Sequence, residues 1–575
     1  MKRVISVLLC AVLFLSCLIP AFAETEPEAE SAGVNPVIVI PGIAESMLVL
    51  DKGTPNETRY YQPVTSAFDG LKKDLILGTI KALLFGSYKQ LTDAGIALAC
   101  ESTKYLEMTP DGTSVYNMSP AVVGAAESSY AAIRQNGRWG AIDHGAHILP
   151  FIADRIGGEN VFFFCYDYRL GAITLANQLK DFIGEVKAQT GRGKVDIYGN
   201  SYGSLITLQY LNDFGGADDV ERILFCSPAW QGSKLFKDLF PTDKNDFRIN
   251  PAPMACIVQR LGMREWNIET LLKLIPQRIL RNVGYEMIQE IMKKYLWSAP
   301  GIWCLCSVDD YEEMKAAYLD PVANAAVIEE CDAVQYGVMR NIPAVLAQAK
   351  ADGIGMSVLM GEGVELTVGK NVNGDGLLDT ASGTGGECLP LGETFEDGRS
   401  GKYISPANDL DLTNAFLPDN TWVVRGMTHG QTYWDDELLE LTMKLLLTDD
   451  LKDGVDADPA FPQFTDSHCP SDDVSIRLET RRDNFLALSD GKIKATLRND
   501  SRENEIYVTG VTVCGMSYAV TPVSCRLMPG ETKEITLTPL KTLCGTPQFG
   551  KINVTYVEKD YIMFSKSRSL FYTVE

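Results

Sequence analysis

The sequence predicts an α/β domain built on a mostly parallel, doubly wound sheet, followed by a smaller all-β domain. Between residues 35 and 450, short apolar runs alternate with segments that repeat apolar residues at helical spacing. In residues 471–575, apolar residues instead alternate with polar ones. Parallel strands are covered on both faces and have continuous apolar sequences, whereas half-exposed strands alternate. A stretch rich in Asp and Pro, 451–470, separates the two patterns and indicates a linker.

Six apolar runs are candidate strands of the parallel sheet. The first contains Val-Ile-Val-Ile at 37–40 and stops at a Pro-Gly pair. Helices are predicted around the apolar stripe from Leu175 to Val186, ending near Gly191, and over residues 204–211 and 435–447. Strands that alternate with helices at this spacing build parallel sheets. The predicted strands are 36–40, 161–166, 195–198, 222–226, 354–360 and 422–424.

Two segments interrupt the alternation, near residues 50–150 and 233–345. Both are helix-leaning, and the second is rich in aromatic residues, among them Trp266, Trp297 and Trp303. We interpret the two segments as cap insertions over the sheet. A second packed helical domain with no covering role is the alternative.

Residues 471–575 are expected to form an immunoglobulin-like β-sandwich. Val474, Ile476 and Leu478 alternate with polar residues, and residues 493–498 follow the same pattern. Several short strands separated by turn signals such as Pro-Gly at 529–530 are typical of such sandwiches. Nothing catalytic is visible in this segment, and the sequence does not indicate its partner.

The first 23 residues have the pattern of a signal peptide. Lys2 and Arg3 precede an apolar run at 4–19, and Ala-Phe-Ala at 21–23 matches the pattern at which signal peptidases cut. Lipid modification at Cys17 is a weaker alternative, because the residues before it match such a site poorly. Residues 24–34 are acidic and indicate a disordered leader. We expect a protein that is secreted, extracellular or at the cell surface after cleavage near Ala23.

Charge and composition restrict the partners. The formal net charge of -23 argues against nucleic acid and against an anionic membrane surface as electrostatic partners. The charge does not argue against a transient lipid interface, because such an interface would be made by an apolar lid. The 14 cysteines lack zinc-site spacing, and the four histidines form no His-Glu-x-x-His motif. We therefore expect no metal and no other cofactor.

The motif Gly-Asn-Ser-Tyr-Gly at 199–203 is the strongest chemical signal in the chain. It matches Gly-x-Ser-x-Gly, and it lies between a predicted strand and a predicted helix. This context is that of the nucleophile turn of α/β-hydrolases, where a Cβ at either glycine would collide with a neighbouring element. Ser201 is therefore the candidate nucleophile. An ordinary glycine-rich turn between a strand and a helix is the alternative.

The partners of such a serine follow it in the order acid, then histidine. His429 follows the last predicted strand and precedes the last helix, whereas His144 and His147 come before Ser201 and His468 lies in the linker. Asp375 is the candidate acid, with Asp379 as the second choice.

The segment 371–379 also partly resembles a calcium loop, although a glutamate is missing at its twelfth position. The oxyanion formed during attack would be stabilised by the backbone N–H of Tyr202 and by that of Ile43 in the Pro-Gly-Ile loop.

Several motifs together resemble the lecithin:cholesterol acyltransferase family, which includes lysosomal phospholipases and bacterial relatives. They are the strand with its Pro-Gly turn at 36–42, Tyr-Asp-Tyr-Arg-Leu at 166–170, Ser-Pro-Ala-Trp-Gln-Gly at 227–232 and Gly-Asp-Gly at 374–376. The chain has Asn-Ser-Tyr-Gly where the family usually has His-Ser-Met-Gly. The resemblance covers residues 35–450 in outline. It implies an α/β-hydrolase fold, with Ser201, Asp375 and His429 as catalytic residues and Ile43 and Tyr202 as oxyanion donors.

These observations predict a secreted serine acyl-hydrolase or acyltransferase that acts on carboxylic esters, above all lipid esters, through an acyl-serine intermediate. Water is the expected acceptor. One alternative is a non-catalytic cell-surface binding protein built on a degenerate hydrolase domain. The other is a secreted peptidase or deacylase on the same fold, because cap and pocket shape decide the substrate.

Overall fold

The computed structural model describes two main parts of the chain. The first comprises residues 34–59, 78, 81, 88–136, 148–247, 277–366, 372–396, 398–427, 429 and 436–466. The second comprises 474–478, 480–482, 485–486, 493–499, 505–514, 518–521, 525–539, 549–558 and 566–574. The predicted signal peptide, residues 24–33 of the predicted leader, His144, His147, Trp266, Asn371 and His468 lie outside the described residues.

A seven-stranded sheet in which every neighbouring pair is parallel forms the centre of the first part. Its order is β7-β6-β5-β4-β3-β1-β2 in the labels given at the end of this paragraph. All six predicted strands are present, and residues 464–466 add a seventh that the sequence did not indicate. The strands are β1 Val37–Ile40, β2 Val161–Phe163, β3 Val195–Asn200, β4 Val220–Cys226, β5 Gly355–Glu362, β6 Thr421–Arg425 and β7 Phe464–Asp466.

Helices connect these strands, and the three predicted helices are among them. They are α1 Lys89–Thr103, α2 Gly124–Ser128, α3 Tyr130–Gln135, α4 Leu149–Ile156, α5 Ala172–Thr190, α6 Tyr202–Phe214, α7 Leu235–Leu239, α8 Gln277–Ile291, α9 Pro300–Trp303, α10 Tyr311–Tyr318, α11 Ala325–Val334, α12 Ile342–Ala351, α13 Thr380–Thr384 and α14 Asp436–Leu447.

Both faces of the sheet are covered, which explains the continuous apolar runs. Ile38 and Ile40 belong to a core cluster that includes residues of α5 and α6, such as Leu175. Val37 and Val39 point the other way, into a cluster with residues of α4 and α14. Because successive side chains of a strand face opposite sides, each strand must be apolar throughout. The predicted doubly wound α/β architecture is therefore confirmed.

Parts of the two interrupting segments are also described. In the first, Leu48–Leu50 pairs antiparallel with Thr58–Arg59 and with Met118–Pro120. In the second, aromatic side chains form a separate core, in which the rings of Trp297 and Tyr318 stack with centroids 4.3 Å apart. That these segments act as caps over the sheet stays a prediction.

The second part of the chain contains two further sheets. One has four strands in the order β8-β11-β15-β13, and the other has six in the order β9-β10-β17-β16-β12-β14. Ala495 and Leu497 are buried and Lys494 is exposed, as the alternating pattern predicted. These strands are β8 Val474–Leu478, β9 Thr480–Arg482, β10 Phe485–Leu486, β11 Ile493–Asn499, β12 Ile506–Cys514, β13 Tyr518–Thr521, β14 Cys525–Leu527, β15 Thr532–Pro539, β16 Phe549–Glu558 and β17 Lys566–Val574.

Within the described ranges, no helix combines the length and apolar character that crossing a membrane requires.

Candidate active site at the carboxyl edge of the sheet

Ser201 lies on the turn between β3 and α6. Its φ of 53° and ψ of -117° belong to a left-handed region that residues other than glycine rarely adopt. The Ser201 N–H donates to the carbonyl of Cys226 (2.9 Å), and the Ser201 carbonyl accepts from the N–H of Ala229 (3.2 Å). The strand ends at Asn200 and the helix begins at Tyr202. The turn is therefore tighter than the sequence predicted, since the predicted strand ended at 198 and the predicted helix began at 204.

The two glycines of the motif are required by close packing. A Cβ at Gly203 would lie 2.7 Å from the carbonyl oxygen of Pro41 and closer still to that of Ile40. A Cβ at Gly199 would lie 3.2 Å from the Cα of Ser204. The first collision is with backbone and cannot be relieved by a rotamer change. The collisions expected from the motif are therefore present, and they are more severe at Gly203.

Asp375 and His429 are in direct contact at the same edge of the sheet. His429 Nδ1 lies 2.7 Å from Asp375 Oδ2, and the His429 N–H donates to the Asp375 carbonyl at 2.8 Å. The amides of Leu377 and Leu378 donate to Asp375 Oδ1 at 3.0 and 2.8 Å. With Nδ1 bonded to the carboxylate, Nε2 is the ring nitrogen left to accept a proton.

The electrostatics of this pair favour its charged form. Burial opposes ionisation of Asp375, but the charge and hydrogen bond of His429 and the amides of Leu378 and Leu377 lower the pKa of the carboxyl group below its ordinary value. Burial also opposes protonation of His429, but the charge and hydrogen bond of Asp375 and the charge of Glu45 raise the pKa of the imidazole above 6.5. Asp375 therefore stabilises the imidazolium that would form when His429 accepts a proton.

Asp379, the second choice for the acid, has a different role. It is the N-cap of α13, where its carboxylate accepts from the Ser382 N–H (3.2 Å) and the Ser382 hydroxyl (2.5 Å), and also from the Lys234 N–H (3.2 Å). The structure thus pairs Asp375 rather than Asp379 with His429. Both carboxylate oxygens of Asp375 are hydrogen-bonded within the chain, which argues against the calcium-loop interpretation of 371–379.

The predicted oxyanion donors flank Ser201. Gly42 is so close to the serine that a Cβ on it would lie 3.1 Å from Ser201 Cβ, and Ile43 is the next residue. Tyr202 is the first residue of α6. Within the described part of the chain, neither the Ile43 N–H nor the Tyr202 N–H has an acceptor. Two backbone donors beside a nucleophile have the arrangement of an oxyanion hole.

Glu45 and Asn200 are the functional candidates that the sequence analysis missed. Glu45 Oε2 accepts from the Gly42 N–H at 2.5 Å and from Asn200 Nδ2 at 3.2 Å. Its charge is one of those that raise the pKa of His429. A usable signal existed, because Glu45 is the only charged residue in the stretch 36–50, which is apolar apart from Glu45 and Ser46.

One cavity in the described part of the chain is not lined by Ser201. It holds about 130 Å³ and is lined by residues that include Lys234, Asp309 and Asp379. Ser201 itself is 4% exposed, and the described residues include no hydrogen-bond partner for its hydroxyl. Catalytic hydrogen bonds are often long or poorly aligned before substrate binds, so a serine hydroxyl without a partner in the free protein is compatible with His429 as its base.

Comparisons with known proteins do not identify a family. No family model matches the sequence, and no curated protein matches it. Three solved structures with local similarity, all at a TM-score of 0.14, are the periplasmic chaperone SfaE, PapD-like domain 7 of human CEP192 and a FixG-related protein from Vibrio parahaemolyticus. In that order, their sequences are 9%, 13% and 16% identical to this chain over the matched part. The matches cover 18%, 19% and 18% of this chain, and 56%, 88% and 97% of the length of the other chain. The chain spans about half the length of the chaperones it matches first.

These comparisons correct the predicted function. They return chaperones, a PapD-like domain and a member of the MSP family, and none of these is a lipase, phospholipase or acyltransferase. The prediction of a secreted acyl-hydrolase or acyltransferase acting on carboxylic esters, above all lipid esters, was therefore wrong, and neither secretion, a lipid substrate nor acyl transfer to an alcohol is carried forward. The serine chemistry at the edge of the sheet is a separate matter, which these comparisons do not test. Because the similar structures cover less than a fifth of the chain at a TM-score of 0.14, they carry no argument about the chemistry at Ser201.

Proposed function

We propose that the chain is a serine-nucleophile enzyme of the carboxylic ester hydrolase class, with Ser201, His429 and Asp375 as its catalytic residues. The observation that carries the proposal is the convergence of two rare features at one edge of the sheet. One is a serine held at φ 53° between a strand and a helix, and the other is a buried carboxylate 2.7 Å from a histidine. No lipid substrate is part of this proposal.

The proposed chemistry has two half-reactions, acylation and deacylation, that use the same groups. His429 Nε2 accepts the Ser201 hydroxyl proton as the oxygen attacks the substrate carbonyl carbon, and the carbonyl π electrons move to its oxygen. The N–H groups of Ile43 and Tyr202 donate to that oxyanion. When the carbonyl re-forms, the bond to the leaving alcohol breaks and the alcohol takes the proton from His429. Water then attacks the acyl-serine by the same route and releases the acid.

The order of the sheet also supports the proposal. The nucleophile follows a central strand, β3, and the acid and base follow β5 and β6, which are neighbours. Parallel strands present their carboxyl ends at one edge, so residues far apart in sequence meet there. The family resemblance and an immunoglobulin-like packing of the two C-terminal sheets remain proposals that accompany this one.

The test is covalent labelling of the full chain with a fluorophosphonate probe, followed by peptide mapping. We expect the adduct on Ser201. Ser201→Ala should abolish it, and His429→Ala should slow labelling by a factor that approaches about 10⁶, the loss seen when one member of such a triad is removed. Hydrolysis of short-chain p-nitrophenyl esters should fall in parallel.

Ser227→Ala is the matched control. Ser227 is also a buried serine with a positive φ of 42°, and it follows the neighbouring strand β4. This variant should label as fast as the wild type. A wild-type protein that is folded by circular dichroism yet takes up no probe would refute the proposal and leave a binding role for the domain.

A further inference from the structure

Glu45 is a carboxylate beside the proposed nucleophile that the serine mechanism does not use. It follows Ile43 by two residues in the loop after β1, and this loop carries one of the two oxyanion donors. Its Oε2 atom joins two elements, the loop through the Gly42 N–H and the end of β3 through Asn200 Nδ2. Asn200 immediately precedes Ser201.

We propose that Glu45 is a positioning residue that clamps the loop bearing the Ile43 N–H onto the strand bearing Ser201. The proposal rests on the serine chemistry proposed above, because it concerns the distance between the two oxyanion donors. The Tyr202 N–H belongs to the turn after β3, whereas the Ile43 N–H belongs to the loop after β1. Gly42 and Glu45 flank Ile43 and Ala44 in this loop. The hydrogen bond from the Gly42 N–H to the Glu45 carboxylate therefore closes the loop around the Ile43 N–H.

The surroundings of the loop favour a fixed position. The Tyr166 hydroxyl lies within hydrogen-bond distance of the carbonyls of Pro41 (2.7 Å) and Gly42 (3.0 Å), to which it donates. Tyr166 is fully buried. The loop is therefore held through its carbonyls by Tyr166 and through its N–H by Glu45. Since an oxyanion hole works by donors fixed in advance, loss of one anchor should slow the reaction rather than abolish it.

Asn200 gives an independent indication that this contact has a role beyond stability. Its Nδ2 donates to Glu45, but its Oδ1 is buried and has no partner in the described part of the chain. A buried carbonyl oxygen without a donor costs about 1–3 kcal/mol. A native structure that keeps such a cost needs a reason for it, and the contact between Asn200 and Glu45 supplies one.

Glu45 also acts on His429 through its charge. Among the described residues, Asp375 and Glu45 are the charged groups that act on the imidazole, and both favour the protonated ring. The clamp and the charge can be separated by substitution. Gln keeps an oxygen that accepts from Gly42 but removes the charge, Asp keeps the charge but is one methylene shorter, and Ala removes both.

The experiment measures the rate of fluorophosphonate labelling of the full chain against pH for Glu45→Gln, Glu45→Asp and Glu45→Ala. We expect Glu45→Gln to keep the wild-type plateau rate at high pH and to lower the apparent pKa by about one pH unit, the effect of one partly screened charge nearby. Glu45→Asp should keep the apparent pKa. Glu45→Asp and Glu45→Ala should both lower the plateau rate about 10- to 100-fold, because a donor is misplaced.

Glu57→Gln is the matched control. Its carboxylate also accepts from a turn amide, that of Gly53 at 2.9 Å, but on an exposed turn. This variant should match the wild type in rate and pKa.

A Glu45→Ala protein with the wild-type plateau and pKa would overturn the proposal while leaving the serine chemistry intact. Absence of labelling in the wild type would instead refute the proposed function. If Glu45→Ala does not fold, Asn200→Ala replaces it, and an unchanged plateau in that variant would count against the clamp.

Discussion

Ser201 and His429 reach the same edge of the sheet, but they are held there by different forces. The serine half is fixed by shape: a positive φ, and glycines at 199 and 203 that leave no room for a Cβ. The histidine half is fixed by polar contacts, chiefly the 2.7 Å contact with Asp375 and the amides that donate to that carboxylate.

The difference predicts how each half fails. Steric constraints are insensitive to pH and are broken by added atoms. Charge-assisted hydrogen bonds are sensitive to pH and are broken by neutral isosteres. The two halves can therefore be perturbed separately, the serine half by volume and the histidine half by charge.

Among the substitutions that keep both Ser201 and His429, Asp375→Asn is expected to have the largest effect on labelling, because it removes the charge that supports the histidine half and leaves the packing of the serine half unchanged. Labelling of Ser201 should slow by about 10⁴-fold, since an amide can no longer stabilise the imidazolium or hold its tautomer. The rate of probe uptake measures this directly.

Asp379→Asn is the control for that variant. The N-cap of α13 is weakened by about 1 kcal/mol at most, and the labelling rate should stay within a few-fold of the wild type. A larger loss at 379 than at 375 would reverse the assignment of the acid.

Gly203→Ala tests the steric constraints on the serine half. The added methyl group meets backbone oxygens of residues 40 and 41, so we expect the free energy of unfolding to fall by about 3 kcal/mol, at the upper end for overpacking. Urea denaturation followed by circular dichroism measures it.

Gly184→Ala is the control, because it adds the same methyl group to a helix at a position where there is room for it. Gly184 lies in the middle of α5, and nothing is within 4 Å of its added Cβ. This change should stabilise the protein by about 0.5–1 kcal/mol, because alanine is the better helix former. Equal effects of the two substitutions would mean that the turn is not sterically fixed.

The pH dependence of labelling tests the histidine half without any substitution. His429 must be neutral to accept the proton, and its pKa is raised above 6.5, so the rate should rise about tenfold per pH unit below that pKa and level off above it. The raised pKa also stabilises the folded state fully below pH 6.5, and this contribution is lost as the pH rises through the folded value.

His429→Ala should remove that part of the pH dependence of stability. The contribution of Asp375 has the opposite sign, because its lowered pKa stabilises the fold above the unfolded value and is lost in acid. A labelling rate that does not change between pH 5 and 8 would contradict a role for His429 as base.

Ser201→Gly tests the strain at the nucleophile, and its expected change in stability is small although labelling is lost. Glycine tolerates a φ of 53° without strain, so the variant should be more stable than the wild type by about 1 kcal/mol while losing all labelling. Ser204→Gly, in the first turn of α6, should instead destabilise, because it loses the hydroxyl bond to the Gly199 carbonyl (2.6 Å). Destabilisation by both would show that the turn at 201 stores no strain.

The sequence by itself determined the parallel sheet and the serine turn. The strands are continuous apolar runs and the turn is a five-residue motif, and both signals are local. The order Ser, acid, His also pointed to His429 among four histidines.

The ends of strands were less well predicted. The apolar run 161–166 was expected to be one strand, but β2 ends at Phe163. Residues 164–166 are buried as loop, with the Tyr166 hydroxyl bonded to the Pro41 and Gly42 carbonyls. Buried residues are apolar whether or not they belong to a strand. An apolar run therefore cannot show where the hydrogen bonding between strands stops.

Only the tertiary structure showed that Asp375, and not Asp379, contacts His429, and only it brought out Glu45. The two aspartates are four residues apart in one loop, and which of them faces His429 depends on how that loop folds back on β5 and β6. Glu45 and Asn200 are 155 residues apart and meet only because β1 and β3 are neighbours in the sheet. Contacts of this kind depend on the pairing of distant strands, and no local pattern in the sequence encodes them.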